Sequence, residues 1–216
     1  MDFSLLDLVL HLDKSLFAFF RDFGWIAYAV VFLILFLETG VVVMPFLPGD
    51  SLLFACGALA ASLGLNPWVF WILTTSAAIL GNTSNYAIGR FAGKRLLAPK
   101  PGQKPLISEE HLQQTHAFFE KWGGWAVSLS RFLPFLRTFL PFVAGVALMR
   151  FGKFSFYNVV GGIVWTFLFL AAGYLFGNLP FVKDNFSLII MGIVLITALP
   201  ALVGFLWPKK KQTPPE

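Results

Sequence analysis

The chain has 216 residues, of which 57% are hydrophobic and only 12% are Asp, Glu, Lys or Arg. An ordinary soluble domain averages about 25% charged residues, so this composition excludes that class and predicts a protein whose solvent is lipid. The formal net charge of +5 does not predict nucleic-acid binding, because the basic residues stand beside apolar segments, where attraction to anionic lipid explains them.

Residues 1–23 predict an amphipathic helix that lies on the membrane surface. Their apolar side chains recur at helical spacing, with charged residues between them, at Leu5, Val9, Leu12, Leu16, Phe19 and Phe23. The chain opens with an acidic residue, Asp2, and shows no small-residue cleavage site. We therefore expect no secretory signal peptide and a retained N-terminal helix.

Residues 24–207 predict one transmembrane core. A spanning helix needs about 20 mainly apolar residues, and the apolar segments predict about four such helices. They are placed at 24–37, 67–89, 156–177 and 187–207. The second of these also carries polar residues, among them Asn82 and Asn85, which predict a face turned towards other helices or water.

Two apolar segments, 38–63 and 125–149, are interrupted and do not have the pattern of plain spans. A proline removes a backbone donor and clashes with the preceding turn, so irregular backbone survives at membrane depth only where protein or a water-filled cavity shelters it. Both segments therefore predict re-entrant hairpins. The residues that mark the interruptions are Gly40, Pro45, Pro48 and Gly49 in the first and Pro134, Pro141 and Gly145 in the second.

The distribution of Lys and Arg predicts the orientation, because these residues mark cytoplasmic loops. Basic clusters occupy 90–104, 150–153 and the tail 208–216, whereas the loops at 64–66 and 178–186 are poor in basic residues. We expect both termini in the cytoplasm and the two hairpins entering the membrane from opposite faces.

A weak internal echo agrees with opposed hairpins. Pro45-Phe46-Leu47-Pro48-Gly49 resembles Pro141-Phe142-Val143-Ala144-Gly145, and each is followed by a helix that ends in a Tyr-x-x-Gly turn, at Tyr86 and Tyr174. Inverted repeats of broken segments that meet at the bilayer midplane are a recurrent transporter plan, with the substrate site at their interface. Asn82, Asn85, Tyr86 and Tyr174 are secondary candidates for the transport pathway.

Four charged residues fall inside these apolar surroundings: Glu38, Asp50, Arg131 and Arg137. Each costs roughly 2.5 to 3.5 kcal/mol to insert, so a functional role is the default interpretation. Two guanidinium groups favour a phosphate-binding site. The alternative is a static buried network in which the arginines pair with Glu38 and Asp50, and Asp50 also stands where a helix N-cap would stand.

Other chemistry is not indicated. All three histidines lie outside the predicted spans and hairpins, in no common ligand pattern and beside no evident nucleophile. We expect no cofactor, no metal and no enzymatic activity.

The motifs Glu38-x-Gly40, Pro45-Phe-Leu-Pro48-Gly49-Asp50 and Arg131-Phe-x-Pro134-x-x-Arg137-x-x-x-Pro141-x-x-Ala144-Gly145-x-x-x-Met149 resemble those of the DedA family of bacterial inner-membrane proteins. The resemblance runs from about residue 24 to 207. It implies two opposed re-entrant hairpins and a role in returning undecaprenyl phosphate, the cell-wall lipid carrier, to the cytoplasmic leaflet. It also implies that the four buried charges are essential. Asn82 departs from the pattern, because relatives often carry Asp after Gly81, so no proton count is carried over.

Together these features predict an inner-membrane flippase that moves an anionic lipid and is coupled to protons. Arg131 and Arg137 would bind the phosphate, and Glu38 and Asp50 would exchange protons, because desolvation favours the neutral form of a carboxyl group. A phospholipid scramblase and a proton-coupled small-cation or drug antiporter are the alternatives, and a homo-oligomer is an open possibility. An enzyme acting on lipid phosphates is the candidate from another class.

Overall fold

The computed structural model of the chain describes residues 23–40, 49–97, 122, 124–185, 188–189 and 191–192. Within these ranges the backbone is helical, with seven α-helices, one short 3-10 helix and no strand. The all-helical prediction is confirmed for this part of the chain. The predicted surface helix up to residue 22, most of the span at 187–207 and the basic tail lie outside the described residues.

The described residues include eight helical elements. In chain order they are α1 (Trp25–Gly40), α2 (Gly49–Leu63), α3 (Pro67–Leu97), α4 (Trp125–Leu129), the 3-10 helix (Ser130–Phe132), α5 (Pro134–Val146), α6 (Phe151–Phe176) and α7 (Pro180–Asp184).

The first interrupted segment, 38–63, consists of the end of α1, the whole of α2 and the residues between them. Pro45 and Pro48 belong to 41–48, which lie outside the described residues. Helix α2 begins at Gly49, so Asp50 is its second residue and not the cap that precedes it. An acidic residue in the first turn is stabilised by the helix dipole.

The second interrupted segment breaks at Leu133. This residue is extended, with φ −120° and ψ 106°, and separates the 3-10 helix from α5. Pro134 follows as the first residue of α5, where its missing N–H costs nothing. Pro141, expected to interrupt the segment, instead lies inside α5, which continues to Val146. Packing against α3 supports the helix beyond this proline, because Gly89 of α3 lies against the backbone of Phe142.

Helix α6 is 26 residues long and is the one helix among the described residues that is long and apolar enough to cross a membrane. Its buried face repeats every three or four residues and comprises Phe154, Asn158, Gly161, Gly162, Trp165, Thr166, Leu170 and Gly173. Large apolar side chains cover its opposite face; Phe167 is 46% and Leu168 50% exposed. An apolar outer face of this kind suits a helix whose surroundings are lipid.

Two glycine crossings hold the short helices against the long ones. In the first, a Cβ on Gly57 of α2 would collide with the carbonyl oxygen of Leu170 in α6, and one on Gly173 with that of Phe54. Only glycine permits so close an approach of two helix backbones. Helices α2 and α6 are therefore in direct backbone-to-backbone contact at these glycines.

The second crossing reproduces the first between the other two helices. A Cβ on Gly145 of α5 would meet the carbonyl oxygen of Tyr86 in α3, and one on Gly89 would meet that of Phe142. In each crossing, a glycine lies on the carbonyl of the residue three positions before the opposing glycine, so Gly57 and Gly145 make contacts of the same kind. The short helix of each interrupted segment thus packs on the long helix that follows the other segment.

Candidate functional site

Arg137 of α5 bridges the two carboxylates predicted from the sequence. Its Nη1 donates to Oδ1 of Asp50 at 2.8 Å, and its Nη2 donates to Oε1 of Glu38. All three side chains are almost completely buried, and both contacts are ion pairs. The two interrupted segments therefore meet at this arginine, as both interpretations of the charged residues require.

The end of α1 and the start of α2 converge on Glu38. Its Oε1 also accepts the backbone N–H of Gly49 at 3.2 Å. A Cβ on Gly49 would collide with this carboxylate, so glycine is needed there for the close approach. Gly40 is similarly confined, since its Cβ would lie 3.3 Å from the Cα of Gly81 in α3.

Asp50 has a second partner on α6. The indole N–H of Trp165 donates to Oδ1 of Asp50 at 2.8 Å, and this oxygen therefore receives both Arg137 and Trp165. The guanidinium carbon of Arg137 lies 4.8 Å from the centroid of the same indole ring, within the range of a cation–π contact.

Arg131 is buried without a carboxylate partner among the described residues. Its Nη2 donates to Oδ1 of Asn158 at 2.6 Å and to the carbonyl oxygens of Asn158 and Ala78 at 3.3 Å. The side chain is 0% exposed, yet its Nε and Nη1 have no hydrogen-bond partner in the described part of the chain. A buried charge is normally paired, so this arginine presents two unused donors and an uncompensated positive charge.

The two arginines approach the same aromatic ring. Arg131 lies 5.9 Å from the centroid of Trp165, against 4.8 Å for Arg137. The break at Leu133 turns the chain between them, and this turn makes the common approach possible. They do not share a hydrogen-bond partner in the described residues, since Arg137 binds carboxylates and Arg131 binds Asn158.

Asn85 of α3 ties the backbone of both segments together. Its Nδ2 donates to the carbonyl oxygens of Thr39 and Thr138, at 3.3 and 2.6 Å. Thr39 directly follows Glu38 and Thr138 directly follows Arg137. A single amide therefore fixes the two backbones from which the ion pair projects.

Unpaired polar atoms concentrate around these residues. Eight buried side-chain nitrogens and oxygens have no hydrogen-bond partner in the described ranges, and seven of them belong to this region. They are Glu38 Oε2, Asn82 Oδ1 and Nδ2, Asn85 Oδ1, Arg131 Nε and Nη1, and Arg137 Nε. Native structures satisfy most buried polar atoms, so such a concentration indicates a place that water or a ligand enters.

The remaining sequence candidates lie apart from the charges. The hydroxyl of Tyr86 donates to the carbonyl oxygen of Met149 at 2.5 Å and accepts from Arg90 at 2.9 Å, at the turn before α6. Tyr174 is 39% exposed. Gly145 and Pro141 belong to the α3 crossing and to α5. None of these contacts reaches the ion pairs.

Trp165 and Asn158 contact the charged residues but were not predicted from the sequence. Both stand in a segment that qualifies as a plain apolar span. The signal that could have identified them is the spacing of Asn158, Gly161, Gly162, Trp165 and Thr166, which places small and polar residues on one face of α6. In the described ranges, no cluster of three or more His, Cys, Asp or Glu could hold a metal ion.

A buried cluster of two carboxylates and two arginines, held between interrupted helices with an apolar exterior, is typical of a helical membrane protein. The VTT domain family model matches residues 47–175. Over 210 residues the chain is 45% identical to Protein DedA of Escherichia coli, covering 96% of this chain and 95% of that protein. The chain therefore belongs to the DedA family, as its motifs predict, and is a membrane protein.

More distant relatives are similar over most of the chain. An uncharacterized membrane protein of Mycobacterium leprae is 42% identical over 171 residues, which are 79% of this chain and 76% of that protein. Inner membrane protein YqjA of Escherichia coli is 34% identical over 189 residues, 85% of each chain. No solved structure matches the chain significantly.

Proposed function

We propose that the protein is an inner-membrane flippase that returns an anionic lipid, undecaprenyl phosphate, to the cytoplasmic leaflet, and that Arg131 receives the phosphate head group. Both termini face the cytoplasm, and the prenyl tail remains in the surrounding lipid while the head group passes through the buried cluster. The resemblance of the motifs to the DedA family supports the lipid and the direction of its movement, and the contacts described above support the residue assignments.

The observation that carries this proposal is the unbalanced charge on Arg131. Its guanidinium is buried, has two unused donors, and is held by the neutral partners Asn158 and Ala78. Nε and Nη1 lie on different edges of the guanidinium, and a phosphate oxygen can accept from either of them. A phosphate anion would supply a missing acceptor and the missing negative charge.

Arg137 plays a different part in this scheme. Because it already binds both Glu38 and Asp50, it cannot offer Nη1 or Nη2 to a phosphate while those carboxylates are charged. Protonation of Glu38 would weaken its pairing with Nη2 and release that donor. Oε2 of Glu38 has no partner among the described residues and is the atom that can take the proton.

Such an exchange couples lipid movement to protons. Carrying one negative charge inwards against an inside-negative potential costs about 2.3 kcal/mol per 100 mV, and a proton that moves with the head group cancels this cost. Glu38 and Asp50 are the proton-exchanging groups of the proposal.

Translocation of undecaprenyl phosphate in proteoliposomes tests the proposal, with and without an imposed pH gradient. We expect gradient-stimulated movement by the native chain, loss of movement in Arg131→Ala, and movement that no longer responds to the gradient in Glu38→Gln. Ser76→Ala is the matched control, because among the described residues the Ser76 hydroxyl bonds only its own helix, at the carbonyl oxygen of Ile72.

The other functions give different results in the same vesicles. A scramblase would move phospholipids in both directions without a gradient. An antiporter would exchange protons for small cations with no lipid moved, although both carboxylates are already occupied by Arg137. Release of inorganic phosphate from the lipid would identify an enzyme. Absence of lipid movement above protein-free vesicles refutes the proposal.

A further inference from the structure

Asn82 is a buried amide with no use in the fold that the described contacts reveal. Its side chain is 0% exposed, and both Oδ1 and Nδ2 lack a hydrogen-bond partner in the described part of the chain. Leaving a donor and an acceptor unpaired in a buried site is costly. An apolar side chain of similar size would avoid this cost, so the amide indicates a bound group that offers both an acceptor and a donor.

The position of Asn82 places it between the two arginines. Ala78, Asn82 and Asn85 are spaced by four and three residues and share one face of α3. The carbonyl of Ala78 accepts Arg131, and in an α-helix this carbonyl lies beside the backbone N–H of residue 82. One turn further, Asn85 binds the backbone next to Glu38 and Arg137. The neighbouring Gly81 packs directly on Thr39.

We propose that Asn82 is a specificity-determining residue that binds a protonated phosphate oxygen, so that the site selects phosphate monoesters over phosphate diesters. This inference rests on the proposed function and deepens it. The Nδ2 donates to a charged phosphate oxygen, and Oδ1 accepts the P–OH of the same head group. Arg131 binds one of the remaining oxygens through its Nε or its Nη1.

The charge of the cluster selects the same form of the head group. Arg137, Glu38 and Asp50 form two ion pairs, and Arg131 adds one positive charge. With one carboxylate carrying a proton, the cluster holds a single net positive charge, which a phosphate monoanion neutralises and a dianion exceeds. A monoester monoanion has one P–OH, whereas a diester of equal charge has none. A diester would therefore leave Oδ1 of Asn82 unpaired, and the unpaired acceptor provides the discrimination.

The test compares two ligands that differ only in this group. At about pH 5, purified full chain in nanodiscs of phosphatidylcholine, which has no net charge, is titrated with farnesyl phosphate and with its methyl ester. The two ligands share one tail and, below the second phosphate pKa of about 6, one negative charge. We expect the native chain and the Ser76→Ala control to prefer the monoester by about tenfold, as loss of one hydrogen bond to an ionised group predicts. In Asn82→Leu this preference disappears, while Arg131 still binds both ligands.

A second variant guards against misfolding of the first. Asn82→Asp has the same shape, and its carboxyl offers a donor and an acceptor only when protonated. Below about pH 6, where the monoester remains a monoanion, its preference for the monoester should therefore return as the pH is lowered, while the native chain changes less. A structural role would not make the preference depend on pH in this way.

The outcomes separate the two proposals. Equal affinity of the native chain for both ligands, or an undiminished preference in Asn82→Leu and in Asn82→Asp at high pH, overturns the inference and leaves the flippase proposal intact. Failure of the native chain to bind either ligand above empty nanodiscs overturns both.

Discussion

The indole N–H of Trp165 donates to Oδ1 of Asp50 at 2.8 Å, across 115 residues of sequence. The indole joins α6 to the first turn of α2, and its ring faces the arginine that binds the same oxygen. Trp165 therefore helps to fix the carboxylate that Arg137 binds.

Replacing this indole tests its hydrogen bond separately from its packing. Trp165→Phe retains an aromatic face for Arg137 but removes the donor to Asp50, so we expect a loss of about 2 kcal/mol in unfolding free energy. Trp165→Ala also leaves a cavity and should cost about 3–5 kcal/mol. Thermal unfolding in nanodiscs measures both. Trp25→Phe is the control, because Trp25 is 78% exposed and its replacement should change little. Equal stability of Trp165→Phe and the native chain would exclude a stabilising hydrogen bond.

The two arginines should differ in their coupling to Glu38. A double-mutant cycle with Glu38→Gln and Arg137→Gln should give a coupling free energy of about 1–3 kcal/mol, because the native side chains form a buried ion pair. The parallel cycle with Arg131→Gln should give a value within about 0.5 kcal/mol of zero, since the described contacts of Arg131 are to Asn158 and Ala78. Unfolding midpoints of the single and double variants supply both numbers. A larger coupling through Arg131 would show that the arginines exchange partners.

A methyl group at the α2–α6 crossing should be destabilising. Gly57→Ala directs its Cβ into the backbone of α6 at Leu170, and we expect a loss of about 1–3 kcal/mol. Gly152→Ala is the matched control, because its Cβ meets nothing within 4 Å and the change should stabilise by about 0.4–1 kcal/mol. Thermal unfolding of both variants decides the matter. Tolerance of Gly57→Ala equal to that of the control would show that α2 and α6 separate easily.

The orientation of the interrupted segments can be tested by cysteine accessibility. On a Cys56→Ala background, Leu47→Cys and Val143→Cys place single thiols in the two predicted hairpins. We expect a membrane-impermeant maleimide to label the first from the periplasm and the second from the cytoplasm, because the positive-inside pattern predicts opposed hairpins. Labelling of both from one side would rule out that topology.

The helical class and the four buried charges could be predicted from the sequence, because a low content of charged residues makes each one inside an apolar segment conspicuous. The partners of the charges could not. Helical periodicity places side chains only along one continuous helix, and Leu133 breaks the helix between Arg131 and Arg137. Nothing in the spacing shows that Arg137 takes both carboxylates.

Residues on α6 were harder to recognise for a different reason. Asn158 and Trp165 occur in a segment that satisfies the length and hydropathy of an ordinary span, so neither is conspicuous in composition. Their importance comes from contacts with distant segments of the chain. The similar contacts of Gly57 and Gly145 could not be predicted either, because they depend on the approach of two backbones and not on the residues around each glycine.

The reciprocal glycine crossings have a consequence for how the protein is made. Helix α2, with 15 residues, is shorter than a helix that spans a bilayer, and it packs on α6, which the ribosome produces much later. Arg137 is synthesised 87 residues after Asp50, so Glu38 and Asp50 are made before the arginine that pairs with them. The cluster can therefore form only after both interrupted segments have been synthesised. We expect the first half of the chain to remain incompletely packed until the second half is present.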